Sequence, residues 1–397
     1  GAACTSSFGT LTLASTFAAG QLSTDVASYG DVGSFALQLV DSTYASVDVN
    51  DTVGDCNANG SYVCSATIDV GRFVPDNFAV SLNTPAFGSA CGAFSYLGQK
   101  FAYSTAPEIT FTARNFAGGT TTRYADATKW WRITNATLTG KAYTTASGTL
   151  DVSGVPGTDP GILATGSGTG KLTFSSGTGL FFPRTTPVAP FDAEISLAIN
   201  VIDADGVSYA SNPARFGQAS AGNGIAFSTG KPMRFGRFAI GNANGTQLLP
   251  LLVRVEAQYW SGPPTNAFIT NTLDSCTSVT PANYAMGTYT GNLSGSPTCE
   301  TAINGGGILS SGRQTLILAT PGVGNDGSVI LTANLGATAS GSTCTTLGGA
   351  PVSATTANLP HLQGNWTGGA FDVNPSARAS FGIFRGSEEV IYMRENY

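Results

Sequence analysis

The sequence predicts an all-β protein made of tandem β-sandwich units of immunoglobulin-like type, with long loops and little helix. Three observations predict it. Apolar and polar residues alternate in short runs that end at Gly, Asn, Asp or Pro, the period-two signature of half-buried strands. The 51 glycines, with abundant Thr, Ser and Asn, supply turns and β-compatible surface rather than helix. The best helical stretch, "YADATKWWRI" (residues 124–133), is short and flanked by aromatic and β-branched residues that favour helix poorly.

A chain of 397 residues exceeds what one hydrophobic core usually serves, and composition shifts place three units at residues 1–75, 76–228 and 229–397. In the first, "FALQLV" from Phe35 reads as a strand, and "VGRFVPDNFAV" (residues 70–80) as the closing strand, with Arg72 on its polar face. Pro75 cannot donate to a ladder, so "PDN" is the turn into the second unit. There "EITFTARNF" from Glu108 alternates as a strand, and "TGSGTG" and "SSGTG" are turns. "EISLAINVIDADGVSYA" (residues 194–210) reads as a hairpin around its Asp-Gly pair. In the third unit, residues 237–260 read as a hairpin around Asn244-Gly245, and residues 335–360 as a long polar loop. "SFGIFRGSEEVIYMREN" reads as two final strands around "RGSEE".

Composition narrows the function. Lys and Arg total 18 against 24 Asp and Glu, a net charge of −6, which argues against a nucleic-acid partner needing a dense basic face. No apolar run reaches the ~20 residues of a spanning helix, and no positively charged leader precedes an apolar core at residue 1. Seven cysteines (Cys4, Cys56, Cys64, Cys91, Cys276, Cys299 and Cys344) lack metal or redox spacing and suit disulfides in an oxidising compartment. Cys56 and Cys64 flank a short turn and are the first expected pair. Three bridges leave one cysteine over, either a free thiol or one whose partner lies outside this chain, and Cys4 is the one to watch.

Candidate chemistry is sparse. His361, in "LPHLQGNW", is the single imidazole; no nucleophile elbow or zinc helix accompanies it, so a loop residue is the expected role. "GSGTGK", ending at Lys171, fails the phosphate-loop spacing at both ends. Asp203 and Asp205 in "DADG" allow calcium, against the reading of a hairpin turn; no other cofactor is called for. "DVNDTVGD" (residues 48–55) has the same ambiguity. Trp130 and Trp131 allow a stacking platform for surface glycans, against the reading of core and corner residues. Arg72, Arg234 and Arg237 lie near the proposed junctions and are expected to pair with carboxylates or backbone carbonyls at inter-unit corners.

Read in order, "SYGDVGSFALQLVDSTY", "VGRFVPDNFAV", "CGAFSYLGQKF", "ITFTARNFAGGTTTRYAD" and "FDAEISLAINVIDADGV" form a pattern. It continues through "MRFGRFAIGNANGTQLLPLLVRVEAQYW", "FITNTLDSCT" and "DVNPSARASFGIFRGSEEVIYMRENY". From about residue 28 onward the chain resembles the C-terminal region of MshQ-like proteins, encoded with the mannose-sensitive haemagglutinin type IV pilus of Gram-negative bacteria. The resemblance implies an exported cell-surface protein, with pilus or filament subunits as partners and no catalytic residue to carry over. The first expectation is a non-enzymatic tip or accessory adhesin or scaffold. The second is a structural subunit of an extracellular filament assembled by β-strand addition or disulfide. A third, a secreted glycoside hydrolase using paired carboxylates, has no positive signal in the residues.

Overall fold

The computed structural model describes residues 9–12, 17–19, 21–41, 63–126 and 129–382, which form an all-β molecule. Its short 3-10 turns are Thr122–Ala125, Ala219–Ala221, Pro281–Asn283 and Pro360–Leu362. Among the described residues no helix is long and apolar enough to cross a membrane.

Alternation builds the first core. Strand Glu108–Arg114 turns Ile109, Phe111 and Ala113 inward, each fully buried, and Ile195–Ile199 does the same with Ile195, Leu197 and Ile199. One antiparallel sheet runs Gly161–Gly166, Thr169–Thr173, Glu108–Arg114, Asn77–Leu82; another runs Ala142–Thr145, Ile195–Ile199, Ala214–Phe216. Their inward residues share a single cluster, which also takes in Val32. "TGSGTG" is the tight hairpin turn between the first two strands. Ser167 (φ 50°) and Gly168 (φ 75°) are both left-handed, and a Cβ on Gly168 would stand 2.4 Å from the Thr121 carbonyl.

The second core lies between a five-stranded sheet, in which Phe268–Thr270 also pairs with Leu251–Trp260, and a four-stranded one. One orders Gly236–Ile240, Leu251–Trp260, Arg313–Leu318 and Ile303–Gly305; the other Ala243–Gly245, Ser376–Phe381, Gly327–Ala333 and Tyr284–Gly291. Leu251, Val253, Val255 and Ala257 meet Val329, Leu331 and Ala333 between them.

Local turn chemistry succeeds in one hairpin and misleads in another. Around Asp205-Gly206, the Asp203 amide donates to the Val207 carbonyl, the Gly206 amide donates to the Asp203 carbonyl, and Gly206 takes φ 83°, as a tight turn requires. Asn244-Gly245 is not a turn. It lies in strand Ala243–Gly245, which crosses to the opposite sheet and pairs in parallel with Ser376–Phe381. The antiparallel pairing of Gly236–Ile240 with Leu251–Trp260 is therefore closed by the whole of residues 241–250.

No helix forms over residues 129–133. The carbonyl of Asp126 accepts the amides of Lys129, Trp130 and Trp131, which coils the chain into a turn and lays both indoles on the first core. The final segment around "RGSEE" and the acidic loop at 48–55 lie outside the described residues.

Candidate functional site

The two cores meet along a seam made by a strap of the first. Phe87 belongs to the first cluster, Cys91, Phe94 and Tyr96 to the second, and Leu97 and Phe101 to the first again. Along this excursion Ser95–Tyr96 pairs in parallel with Pro232–Arg234, and the Leu97 amide donates to the Arg234 carbonyl at 2.9 Å. Cys91 is disulfide-bonded to Cys276, 185 residues away, with a Cα–Cα distance of 5.6 Å. The strap is thus hydrogen-bonded on one side and covalently held on the other.

Beside the bridge lies a buried polar network. Asp274 is fully buried, which for an isolated charge would be prohibitive, so its acceptors must be filled. They are. Oδ2 accepts from the Tyr96 hydroxyl at 2.8 Å and the Thr277 hydroxyl at 2.7 Å, and Oδ1 from the amides of Thr277 at 2.9 Å and Cys276 at 3.2 Å. Asn271, also fully buried, donates to the Tyr96 oxygen at 2.7 Å and accepts from Arg234. Arg234 lies over the rings of Tyr259 (4.3 Å) and Phe94 (5.2 Å). Burial, then the neighbouring Asp274 charge, holds the Tyr96 phenol well above its usual range, so it stays a donor.

Arg184, also of the first domain, clamps the seam by reaching across to the second. Its Nε and Nη2 donate to the Gly236 carbonyl at 3.1 and 2.7 Å, Nη1 to that of Phe371 at 2.8 Å, and Nη2 also to that of Gln363. The guanidinium lies 4.7 Å from the Phe235 ring centre and 5.3 Å from that of Phe371. Burial lowers its pKa to about 10, so it remains a cation at neutral pH. His361 stacks on Tyr96 with centroids 5.8 Å apart. Burial, reinforced by the Arg184 charge, pushes its pKa down to about 4 and keeps the ring neutral.

The residues singled out in the sequence fall in three places. Arg234 is in the seam. Arg72 pairs with Asp205 inside the first domain, with Arg132 3.8 Å from the same carboxylate, so it ties strand Ile68–Phe73 to the Asp-Gly turn. Arg237 belongs to the second domain, where Nε donates to Gln258 at 2.8 Å and the cation lies over Phe268 (3.8 Å) and Trp366 (4.7 Å). Asp203 is the turn's anchor: it accepts from the amides of Asp205 and Val207, each at 2.9 Å, and from the Tyr124 hydroxyl at 2.7 Å. Trp131 packs between Tyr124 and Phe111, over Gly170, where a Cβ would meet the indole at 2.3 Å. Trp130 approaches Gly33. The indoles therefore serve as packing at the border of the first core.

Cys299 bridges Cys344 within the second domain, and Cys64 is disulfide-bonded; Cys4 and Cys56 lie outside the described residues. Among the described residues, Cys91, Asp274 and Cys276 are the one close trio of metal-type donors, and its two sulfurs are consumed by their own bridge. The clamp residue Arg184 escaped the sequence reading. Its signal is isolation: from Leu172 to Phe191 it is the only ionisable side chain, with prolines on both sides at 183 and 187.

No curated protein and no solved structure matches the chain. Residues 31–224 match the third domain of DUF6701 and residues 234–396 its fourth domain. The strap, the Cys91–Cys276 bridge and Arg184 therefore join two successive domains of one family. With only residues 1–30, 225–233 and 397 outside the two matches, the chain belongs to the DUF6701 family, carrying its third and fourth domains in order.

Proposed function

We propose that this chain is a non-enzymatic cell-surface component, a tip or accessory adhesin or scaffold of a type IV pilus-like system, exported from a Gram-negative bacterium. The observation that carries the reading is the seam. A protein displayed outside the cell transmits force and resists proteolysis best when its domains do not hinge, and here a disulfide, a saturated carboxylate network and a buried arginine all cross one junction. Asp274 has both carboxylate oxygens filled and Arg184 donates to three carbonyls at the junction, which favours a structural role over a catalytic one. The disulfides suit an oxidising compartment, and the ordered phrases resembling MshQ-like proteins supply the pilus association.

Immunogold electron microscopy of intact cells, with antibody raised to the chain, tests this reading. Label confined to pilus ends is the expected result. Regular label along a filament would make the chain a building block instead, and label confined to the cell interior would remove the surface role altogether.

A further inference from the structure

A cleft of about 400 Å³ opens in the first domain beside the seam, between residues 147–149 and the loop 183–188. That places it at the small end of the ~300–1,000 Å³ span of ligand sites. Its lining includes Leu97, Phe182 and Phe191, the two rings meeting edge to face at 5.2 Å. Gly148 lies against both rings: a Cβ there would stand 3.0 Å from Phe191 and 3.2 Å from Phe182. Thr149, Thr185 and Thr186 are exposed at the rim, and Ser147, whose hydroxyl donates to the Asp192 carbonyl at 2.9 Å, offers an acceptor.

Among the described residues, no ionisable side chain lines the cleft. Arg184 belongs to the rim loop, yet its guanidinium is spent on the carbonyls of Gly236, Gln363 and Phe371. The same contacts anchor the loop on the second domain, where Ala189 sits so close to Gly262 that a Cβ there would meet its own at 2.3 Å. The rim is therefore ordered before any ligand arrives, which removes part of the entropic cost of binding.

We propose that this cleft binds an uncharged saccharide. A pyranose ring has an apolar C–H face for the half-buried Phe191 ring and the exposed Val188, which Leu97 and Phe182 back from the core, and a circumference of hydroxyls for the threonines. A charged ligand would be desolvated here without a partner. The inference rests on the surface-adhesin reading only for where the sugar is met; binding in solution and location on the cell are measured separately, so either can fail alone.

The test is saturation-transfer NMR on the intact oxidised chain, with lactose, maltose, chitobiose and glucuronate as probes at equal concentration. Transfer to at least one neutral sugar and none to glucuronate is expected. The double variant Thr185→Val/Thr186→Val should weaken it at least ~5-fold, as loss of about one hydrogen bond implies, without shifting the melting temperature. Val188→Trp, at an exposed rim position, should block the cleft and abolish transfer. Silence from all three neutral sugars, equal transfer to glucuronate, or indifference to both changes would overturn the proposal.

Discussion

Arg184 shows how one side chain can hold two domains. Its fork meets carbonyls of Gly236, Gln363 and Phe371, three separate segments of the fourth domain, and a lysine cannot reproduce that geometry. Arg184→Lys should lower stability by about 3 kcal/mol in chemical denaturation, because buried carbonyls lose their donors. Arg72→Lys, at an exposed pair with Asp205, should cost under about 1 kcal/mol. Equal effects of the two changes would show that the clamp is no stronger than a surface contact. Asp203 yields a second test. Its oxygens already accept two amides and a phenol, and Asp205 is taken by Arg72, so neither calcium nor a chelator should move the melting temperature. A rise of several degrees with calcium would restore the metal reading of the DADG turn.

At the scale of elements, the strap carries the account. Removing the bridge with Cys91→Ser frees a closure of 185 residues, a chain-entropy effect of about 5 kcal/mol, against about 4 kcal/mol for the 45-residue closure at Cys299. Non-reducing and reducing melts of the variant should therefore converge partway, leaving only the contribution of the remaining bridges. His361, packed on Tyr96 and beside Arg184, makes the strap acid-sensitive. Its folded pKa, about 4, lies below the ordinary value near 6.5, so the unfolded chain binds the proton first. That contribution is complete above pH 6.5 and is lost as pH falls toward 4, amounting to about 3 kcal/mol. Melting temperatures from pH 7 to pH 4 should fall less steeply in His361→Gln than in the unchanged protein; parallel curves would remove His361 from the seam.

The same elements explain what could be read from the chain. Alternation made strand Glu108–Arg114 and its inward Ile109, Phe111 and Ala113 legible, because strand periodicity is a local property. The Asp205-Gly206 turn was legible for the same reason. Asn244-Gly245 was not, because its partner strand, Ser376–Phe381, lies more than a hundred residues on and overrides local turn preference. The seam was the least legible part. Nothing local to Tyr96 or Asp274 announces their bond, and the pairing of Cys91 with Cys276 is one of many that seven cysteines permit. Arg234 was found through its position near a junction, but its partners proved to be a side-chain amide and two rings rather than a carboxylate or backbone carbonyl.

For the whole molecule, two successive DUF6701 domains with separate cores share one covalent and polar junction. Domains joined by a linker alone would melt independently; domains coupled through the Cys91–Cys276 bridge, the Asp274 network and Arg184 should melt together. Differential scanning calorimetry of the oxidised chain measures this directly. The account requires a single transition in which the calorimetric and van't Hoff enthalpies agree. Two resolved transitions, or a calorimetric enthalpy about twice the van't Hoff value, would contradict it and return the seam to the status of an ordinary contact.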